Sequence, residues 1–595
     1  MHRYQQISRV FIAVIAGVPL TASAQVVPRP PLNAKVQETL MGPAAGRVVM
    51  SQDGDHLAVV TPKGSRQVLL LDGVEGPVFD EIPLQFGWGN YRNAGGPIVF
   101  SPTGGRSAYV GRRAGDYIAV VDGKEAVTLM TPETAKGISY IDASGWSFMF
   151  SRDGSRLAFA AREGTTWVMV VDGVKSPSYK GLDMSQAALN GKRLFYVAQT
   201  AADQKWHLIV DGKAGPAYDT IRSLKVTPDG AHYAFIIEKR SPTARPAAVV
   251  IDGVEGATER EITELEQAPD GRVAYMAMRP QTRPGGNPPH LIVGGLDADW
   301  TTTFGYPVPA GAAPQLHVAW SADGKRFAYV QQNNPNPGVT MMVSGKAMGL
   351  AYNSVSAPFW SPDGSRLAYV GTSPSGAFPV IDGQEFPEGF NWVKEFTWSP
   401  DGKHYAFYAG NNAGIRMFVD GKEQPKALSF AVGALGWSPE GKHFAYSAQT
   451  SVTGYQPVVD FVLKPHGLGE FHSKRANPPI SFPTFFWSPD GSRLAYVGVK
   501  TDGTGRAAVW VDGVPLEGPL PNYFHPAWSP DSKHFAAMVS TGTGWVIMLD
   551  GKVSPNYEDM LEPNVGSHHF VDGHTYRFYG IKNAQIYKVT LDLGA

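Results

Sequence analysis

The stretch WSPDGSRLAYV, residues 360–370, decides the fold, and it recurs letter for letter at residues 487–497. A third copy, WSPDGKHYAFY, occupies residues 398–408. In each copy the proline presets φ for the second position of a type I turn, and the glycine takes the left-handed position that follows. Apolar residues flank the turn on both sides. The phrase therefore predicts a β-hairpin, whose two strands we name A and B.

This hairpin is the unit of a long repeat. Its turn glycine, or the equivalent residue, occurs 13 times. The mean spacing is about 43 residues, which is typical of four-stranded propeller blades. The 13 positions are Gly54, Gly104, Gly154, Gly191, Gly230, Gly271, Gly324, Gly364, Gly402, Gly441, Gly491, Ser532 and Gly573.

A second phrase lies between successive copies: β-branched residues followed by Asp-Gly, as at Asp382-Gly383. Asp-Gly between apolar runs is a strong hairpin signal, because a type I′ turn needs positive φ at both central residues. Each unit thus holds two further strands: C before Asp-Gly, and D after it, such as PAYDTI at residues 216–221. The mature chain shows no sustained helical period. We predict an all-β fold of four-stranded antiparallel blades that stack radially.

Thirteen blades exceed the four to eight of ordinary propellers, so we predict two tandem propellers. The first spans residues 25–305 with about six blades, and the second spans 306–595 with about seven. The longest spacing between copies falls at this boundary, next to a Pro/Gly/Ala run at 307–314. From the seventh copy to the twelfth, tryptophan precedes the turn: Trp320, Trp360, Trp398, Trp437, Trp487 and Trp528. The last copy lacks strand D, and the segment around residues 36–41 is expected to supply it.

The N-terminus carries the features of a signal peptide. Arg3 and Arg9 precede or border an apolar run at residues 10–20, and Ala22-Ser23-Ala24 provides small residues for cleavage before Gln25. The run is too short to span a bilayer, which needs about 20 apolar residues. No second apolar segment is long enough either. We therefore expect a signal peptide at residues 1–24 and a periplasmic or secreted product without a transmembrane segment.

Composition excludes several classes of function. Lys and Arg (52) nearly balance Asp and Glu (53), so the net charge of −1 gives no general attraction to nucleic acid or anionic membranes. The absence of cysteine excludes disulfides, zinc-thiolate sites and thiol nucleophiles.

The phrase W-S-P-D-G-x-x-[LF]-A-Y resembles the blade of TolB-type, WD-repeat-like propellers, which also occurs in the propeller domains of prolyl oligopeptidase relatives. The resemblance covers essentially all of the mature chain. It implies a protein-binding propeller in the bacterial envelope. It says little about the ligand, because the shared residues are packing and turn residues.

Most residues that carry chemistry occupy repeat positions. The six repeat tryptophans are expected to pack between blades, and the recurring aspartates to cap turns. His56, His232, His404, His443 and His534 stand where other copies have Arg, which indicates an exposed strand start. His525, His568, His569 and His574 lack the spacing of a metal site, so we predict neither metal nor cofactor. No Gly-x-Ser-x-Gly motif of an α/β-hydrolase occurs.

The variable connections point to a binding face. The B–C and D–A connections differ in every copy and lie on one rim, and such insertions usually mark the binding face of a repeat protein. Within the D–A connection at residues 83–96, Phe86, Trp88, Tyr91 and Arg92 stand outside any repeat position. They are our candidate binding residues, unless the loop plugs its own ring. We predict a non-enzymatic scaffold or assembly subunit that binds an envelope or secreted protein, or alternatively a glycan. A hydrolase or lyase with a site at a propeller mouth is the competing hypothesis.

Overall fold

The computed structural model describes residues 31–83, 98–130, 148–239, 246–278, 290–294, 296–298, 318–332, 338–412, 414–424, 435–451, 454–460, 462–463, 485–499, 507–520, 526–541, 543–561 and 568–594. These residues form strands and turns, and among them no helix is long and apolar enough to cross a membrane. The predicted signal peptide at residues 1–24 lies outside the described residues.

The strands form 13 antiparallel sheets, which confirms the predicted blades. In the first 12 blades, strands A to D follow one another along the chain. Blades 1 to 4 are Arg47–Met50, Leu57–Lys63, Arg66–Leu71, Val74–Phe79; Ile98–Phe100, Ser107–Arg113, Asp116–Val121, Lys124–Met130; Met149–Phe150, Leu157–Glu163, Thr166–Val171, Val174–Lys175; and Gly181–Asn190, Arg193–Gln199, Trp206–Val210, Lys213–Ala214. Blades 5 to 8 are Thr220–Val226, Tyr233–Glu238, Ala247–Ile251, Val254–Glu255; Glu261–Gln267, Val273–Met278, His290–Val293, Leu296–Ala298; Ala319–Trp320, Phe327–Gln332, Val339–Val343, Lys346–Ala347; and a split strand A (Ser354–Val355, Phe359–Trp360), Leu367–Ser373, Gly376–Ile381, Gln384–Glu385.

The remaining blades continue this order. Blades 9 to 12 are Trp392–Trp398, Tyr405–Asn411, Gly414–Val419, Lys422–Glu423; Leu435–Trp437, Phe444–Ser451, Gly454–Val459, Val462–Leu463; Phe485–Trp487, Leu494–Val499, Ala507–Val511, Val514–Leu520; and Pro526–Trp528, Phe535–Ser540, Trp545–Leu549, Lys552–Val553. Blade 13 has a split strand A (Asp559–Met560, His569–Phe570), then Thr575–Lys582, Gln585–Asp592 and, as strand D, Lys35–Pro43.

Both predicted turn types are present. In the C–D turns both central residues have positive φ, as at Asp72 (50°) and Gly73 (81°). This is the geometry of a type I′ turn, whose twist matches that of the flanking strands. In the A–B turns of the first 12 blades the residue at the glycine position is left-handed, for example Gly364 at 71°, whereas Gly573 of blade 13 does not adopt a positive φ.

Strand D is shorter than predicted in most blades. In blade 4 it comprises Lys213–Ala214 alone, where the sequence predicted a strand over residues 216–221. Tyr218 instead makes an isolated bridge to Trp206, and Thr220 already begins strand A of blade 5. Pro216 interrupts the ladder at this point, since proline lacks the N–H that a ladder needs.

The chain ends share blade 13. Lys35–Pro43 pairs antiparallel with Gln585–Asp592, with Val36 opposite Leu591. Met41 is buried against Leu57 of blade 1 and Ile586 of blade 13. The N-terminal strand therefore supplies the missing strand D, as the sequence predicted.

Consecutive blades pack on each other through shared apolar clusters. Met276 and Leu291 of blade 6 form one apolar cluster with Phe327 and Tyr329 of blade 7. Clusters of this kind join every successive pair of blades, and blade 13 packs on blade 1. The predicted domain boundary at 305/306 lies outside the described residues, and the division into six and seven blades stays a prediction.

Candidate functional site

The charged residues of the A–B and C–D turns are engaged in holding the turns. In blade 8, the Arg366 N–H donates to Ser361 Oγ at 2.9 Å, and the Leu367 N–H donates to Asp382 Oδ1 at 2.9 Å. Hydrogen bonds from the hydroxyls of Ser361 and Ser365 and from the Ser365 N–H lower the pKa of Asp363 to about 2. The carboxylate is therefore an acceptor for turn donors and cannot supply a proton at neutral pH.

The same rim also links each blade to the next. Arg366 Nε donates to Asp382 Oδ2 at 2.8 Å, and its Nη1 donates to Lys403 O of blade 9 at 2.8 Å. Its guanidinium lies 4.8 Å from the ring centroid of Trp398, within cation–π range. Trp398 Nε1 in turn donates to Phe359 O at 2.9 Å. The repeat tryptophan thus packs between blades, as predicted.

The other repeat tryptophans follow this pattern. A cation or imidazole of the preceding blade covers each ring: Arg272 over Trp320, Arg326 over Trp360, His404 over Trp437, His443 over Trp487 and Arg493 over Trp528. Indole N–H donors reach the preceding strand A from Trp360, Trp487 and Trp528 as well.

The five repeat histidines each contact the aspartate of the C–D turn in their own blade. For example, the distance from His404 Nδ1 to Asp420 Oδ2 is 2.7 Å. The other pairs are His56–Asp72, His232–Asp252, His443–Asp460 and His534–Asp550. The strand start is partly exposed, as predicted, but sequence reasoning missed the aspartate partner. The Arg/His interchange was the signal, since both side chains donate to a carboxylate.

The C-terminal histidines have separate partners. His568 Nδ1 lies 2.6 Å from the hydroxyl of Tyr576, and His569 Nε2 lies 3.4 Å from Asp55 Oδ1 of blade 1. Burial raises the pKa of Tyr576, so its phenol stays protonated at neutral pH. Within the described part of the chain, no three His, Asp or Glu side chains are placed to hold a metal ion. His525 lies outside that part.

The A strands of neighbouring blades contact one another and form what we call the inner wall. Gln186 Oε1 of blade 4 accepts from the Leu224 N–H of blade 5 at 2.6 Å. Arg222 of blade 5 donates to Ile262 O of blade 6 at 2.5 Å. The D strands lie at the opposite, outer edge, where Val254 is 72% exposed. The inner wall is therefore where the blades converge.

Several inner strands are bulged. The pairing register shifts between Arg222 and Lys225 in blade 5 and between Lys394 and Thr397 in blade 9. Blades 4 and 6 have shifts at similar places. Ser223 and Glu395 adopt left-handed φ values of 57° and 51°, which non-glycine residues rarely adopt. Bulges re-aim side chains and are frequent beside functional sites.

Phe359 is the aromatic side chain that the inner wall exposes. It is 38% exposed, and within the described residues no other Phe, Tyr or Trp side chain reaches this class of exposure. Its ring stacks on Phe396 of blade 9 at 5.7 Å between centroids. Phe396 stacks in turn on Tyr405 at 5.7 Å and meets Trp398 edge-on at 5.4 Å. Phe359 therefore packs on one side against a group of mutually stacked aromatic rings.

Charged groups flank this stack on strand A of blade 9. Lys394 and Glu395 are exposed, and Lys394 Nζ lies 5.5 Å from the centroid of the Trp392 ring. Trp392 packs edge-on against Tyr408 at 5.9 Å. Burial, with a smaller contribution from Glu395, raises the pKa of Tyr408. Strand A of blade 9 thus carries one exposed cation and one exposed anion immediately before Phe396, the ring on which Phe359 stacks.

The residues predicted from the sequence, Phe86, Trp88, Tyr91 and Arg92, lie outside the described residues. Sequence reasoning missed Phe359 because it precedes a repeat tryptophan. The position holds small residues in four other blades (Ala319, Thr397, Gly436 and Ala527) but a second phenylalanine, Phe486, in blade 11, so the sequence alone does not single out Phe359.

No protein-family model and no curated protein matches the sequence. Solved structures are similar at low identity. TolB from Acinetobacter baumannii is 16% identical over 55% of this chain and 78% of its own, with a TM-score of 0.20. A eukaryotic initiation factor is 12% identical over 78% and 96%, with a TM-score of 0.26. The tricorn protease is 12% identical over 85% and 57%, with a TM-score of 0.21.

At these identities and TM-scores the likenesses carry no conclusion about activity, ligand or partner. The 13 four-stranded blades themselves agree with the resemblance of the repeat phrase to TolB-type propeller blades.

Proposed function

We propose that this protein is an exported, non-enzymatic scaffold that binds a protein partner in the bacterial envelope through its inner wall. The observation that carries the proposal is the exposure of Phe359, whose ring stacks on the half-buried Phe396 of blade 9. Aromatic side chains dominate the binding free energy of protein interfaces because they bury a large area at low entropic cost. Lys394 and Glu395 add polar contacts at the edge of this patch.

The turn rim supports the same proposal by its chemistry. Its arginines, histidines and aspartates are paired with each other and with the next blade, as Arg366 and His404 illustrate. Recruiting them for a ligand would break those bonds. We therefore propose that recognition uses the inner wall and the rim of B–C and D–A connections, to which the sequence predicts that residues 83–96 belong.

Site-specific crosslinking tests the inner wall. A photoreactive benzoylphenylalanine is placed at position 359, or as a matched control at Val254, which is exposed on the outer strand of blade 5. We expect one protein adduct in native envelopes from position 359 and none from 254. Phe359→Ala should weaken capture of that protein at least tenfold with an unchanged melting temperature. Equal adducts at both positions, or none at 359, would reject the inner wall as the binding surface.

The predicted loop residues need a separate test. Trp88→Ala combined with Tyr91→Ala should abolish partner capture without lowering the melting temperature if the loop takes part in recognition. A large drop in melting temperature with capture intact would instead make the loop a plug. Recovery of mature protein that begins at Gln25 in the periplasmic or extracellular fraction would establish export.

The enzyme hypothesis is tested by turnover. The purified protein should release no product from a panel of peptides and oligosaccharides. Turnover that Phe359→Ala abolishes would replace the scaffold proposal with a hydrolase or lyase acting at the inner wall. Binding of an oligosaccharide without turnover would make a glycan the ligand.

A further inference from the structure

A cavity of about 190 Å³ lies between blades 4 and 5, away from the inner-wall patch of blades 8 and 9. Leu208, Tyr218, Tyr233 and Phe235 supply apolar and aromatic walls. Gly215 of blade 4 and the exposed Lys213 also line it. The cavity therefore combines aromatic faces with one cation.

The repeat provides an internal comparison for this cavity. The N–H of Gly215 donates to Leu208 O at 2.9 Å, and the N–H of Phe386 in blade 8 donates to Pro379 O at 2.8 Å. The two residues occupy the same place relative to the Asp-Gly turn and to strand C. Blade 8 thus has a phenylalanine where blade 4 has a glycine.

The phenyl ring of Phe386 fills the corresponding space between blades 8 and 9. It lies 5.5 Å from Phe407 and 5.8 Å from Phe390, centroid to centroid. These two rings occupy the positions of Phe235 and Tyr218 in the cavity between blades 4 and 5. The junction between blades 4 and 5 thus lacks the phenyl ring that Phe386 supplies between blades 8 and 9.

The backbone does not require a glycine at position 215. Its φ lies outside the left-handed region, and an added Cβ would meet only Leu208 O, at 3.2 Å. Ser176, Gln424 and Ser554 carry side chains at the same position of blades 3, 9 and 12 and make the same hydrogen bond to strand C. Gly256 of blade 5 makes the same hydrogen bond, to Val249 O at 2.9 Å, so the cavity depends on the absence of a side chain at position 215 together with the aromatic lining from blade 5.

We propose that this cavity binds a compact aromatic ring with a nearby carboxylate. The ring would occupy the place that Phe386 takes in the other junction, and the carboxylate would pair with Lys213. Apolar cavities of about 150 Å³ bind benzene, so the volume suits a single ring. The ligand is either a free aromatic acid or an aromatic side chain beside an acidic residue of a polypeptide.

Ligand-observed 19F NMR tests this site with two probes: 4-fluorophenylacetate, and an acetylated pentapeptide with 4-fluorophenylalanine followed by aspartate. We expect line broadening of at least one probe by the wild-type protein. Broadening of the acid alone indicates a small-molecule site, and tighter binding of the peptide indicates a polypeptide ligand. Lys213→Ala should raise the Kd for 4-fluorophenylacetate several-fold but leave that for 4-fluorotoluene unchanged.

Two reciprocal variants make the test specific. Gly215→Phe should abolish the broadening of both probes at an unchanged or raised melting temperature. Phe386→Gly should create a second site that increases the broadening of uncharged 4-fluorotoluene, because Gln384 stands where blade 4 has Lys213. No broadening by the wild-type protein, or broadening that Gly215→Phe leaves unchanged, would overturn the proposal. If Gly215→Phe does not fold, the gain expected from Phe386→Gly decides the outcome. Crosslinking at position 359 should be the same in Gly215→Phe as in the wild type, so the cavity and the inner wall are tested separately.

Discussion

The side chain two residues after each turn glycine joins three elements. In blade 4, Arg193 Nε donates to Asp211 Oδ2 at 3.2 Å, and its Nη1 donates to Gly230 O of blade 5 at 3.2 Å. In blade 5 the same position is His232, which contacts Asp252 and packs against Gly271 of blade 6 but lacks the guanidinium fork of arginine. The interchange thus preserves the ion pair within the blade and alters its dependence on pH.

We predict that His232→Arg changes the pH dependence of stability. The hydrogen bond to Asp252 at 2.8 Å raises the pKa of His232 above its usual value of 6.5. A raised folded-state pKa means that the imidazolium stabilises the fold fully below about pH 6.5 and loses this effect as pH rises through the folded pKa. Arginine stays charged throughout.

The melting temperature of His232→Arg relative to the wild type should therefore increase from pH 5 to pH 9. The increase should be small, because the histidine side chain is 47% exposed. A difference between the two proteins that does not vary with pH would show that the Asp252 contact carries no stability.

We also predict that Trp398→Ala lowers the free energy of unfolding by about 3–5 kcal/mol, as cavity mutations in packed cores do. The indole is 9% exposed and lies between Arg366 and the buried face of blade 8. The control Trp398→Phe keeps an aromatic ring and loses the N–H donated to Phe359 O, which should cost about 1 kcal/mol. Urea unfolding measures both. A near-neutral Trp398→Ala would mean that the indole is not a packing residue.

At this scale the sequence predicted the packing role of Trp398 but not the partner of His232. The tryptophan recurs at a fixed place in the repeat, and its role follows from the stacking of blades. The partner Asp252 lies 20 residues away, across strands B and C, and only the paired register brings the two together. The cation–π contact of Arg366 with Trp398 crosses a blade junction, whose geometry a single repeat does not contain.

At the scale of strands, the N-terminal strand Lys35–Pro43 is held by side chains from two neighbouring parts of the chain. Glu38 accepts from the hydroxyl of Tyr557 at 2.8 Å and lies 3.5 Å from Lys582 Nζ. Met41 is 2% exposed beside Leu57 of blade 1, whereas Leu40 is 52% exposed. Two successive residues of one strand thus face opposite environments, as strand geometry requires.

This contrast gives a matched pair of variants. Met41→Asp should detach the N-terminal strand, because it places a charge in the apolar junction between blades 13 and 1. Hydrogen exchange measured by mass spectrometry should then speed up in Thr575–Lys582 and Gln585–Asp592 before other blades change. Leu40→Asp should leave exchange as in the wild type. Equal effects of the two variants would contradict the placement of this strand.

The inner strands show which features of the fold a sequence pattern cannot predict. The place before the Ser-Pro-Asp-Gly turn predicts strand A of blade 9, and this strand is present as Trp392–Trp398. It does not predict the bulge at Glu395, because this residue has no glycine or asparagine signal for a left-handed φ. The exposure of Phe359 likewise depends on neighbouring blades and not on its own strand. The candidate site could therefore be located only after the blades were placed together.

For the whole molecule, the repeat predicted the number of blades and the sharing of blade 13. Both follow from hairpin signals and from counting strands along the chain. The grouping of blades into rings depends on side chains at junctions, which a repeat phrase shared by all blades does not distinguish. Two separately closed rings require blade 1 to pack on blade 6 and blade 7 on blade 13. The described residues pack blade 6 on blade 7 and blade 13 on blade 1.

Limited proteolysis tests this grouping. We expect the first cut within residues 295–316, where the spacing between repeats is longest and proline and glycine are frequent. The two fragments should nevertheless co-elute on gel filtration as one particle. Between blades 6 and 7, Phe327 packs on Met276, and the Arg272 guanidinium lies 5.4 Å from the Trp320 ring centroid. Between blades 13 and 1, Met41 packs on Leu57.

Weakening one junction should therefore not separate the clipped halves, whereas weakening both should. Phe327→Asp places a charge between blades 6 and 7, and Met41→Asp does so between blades 13 and 1. Each single variant, once clipped, should still elute as one particle, because the other junction remains. The double variant should yield two. If the clipped wild-type protein already separates into two folded fragments, the blades close as two independent rings of six and seven, and the junction contacts between the rings contribute little.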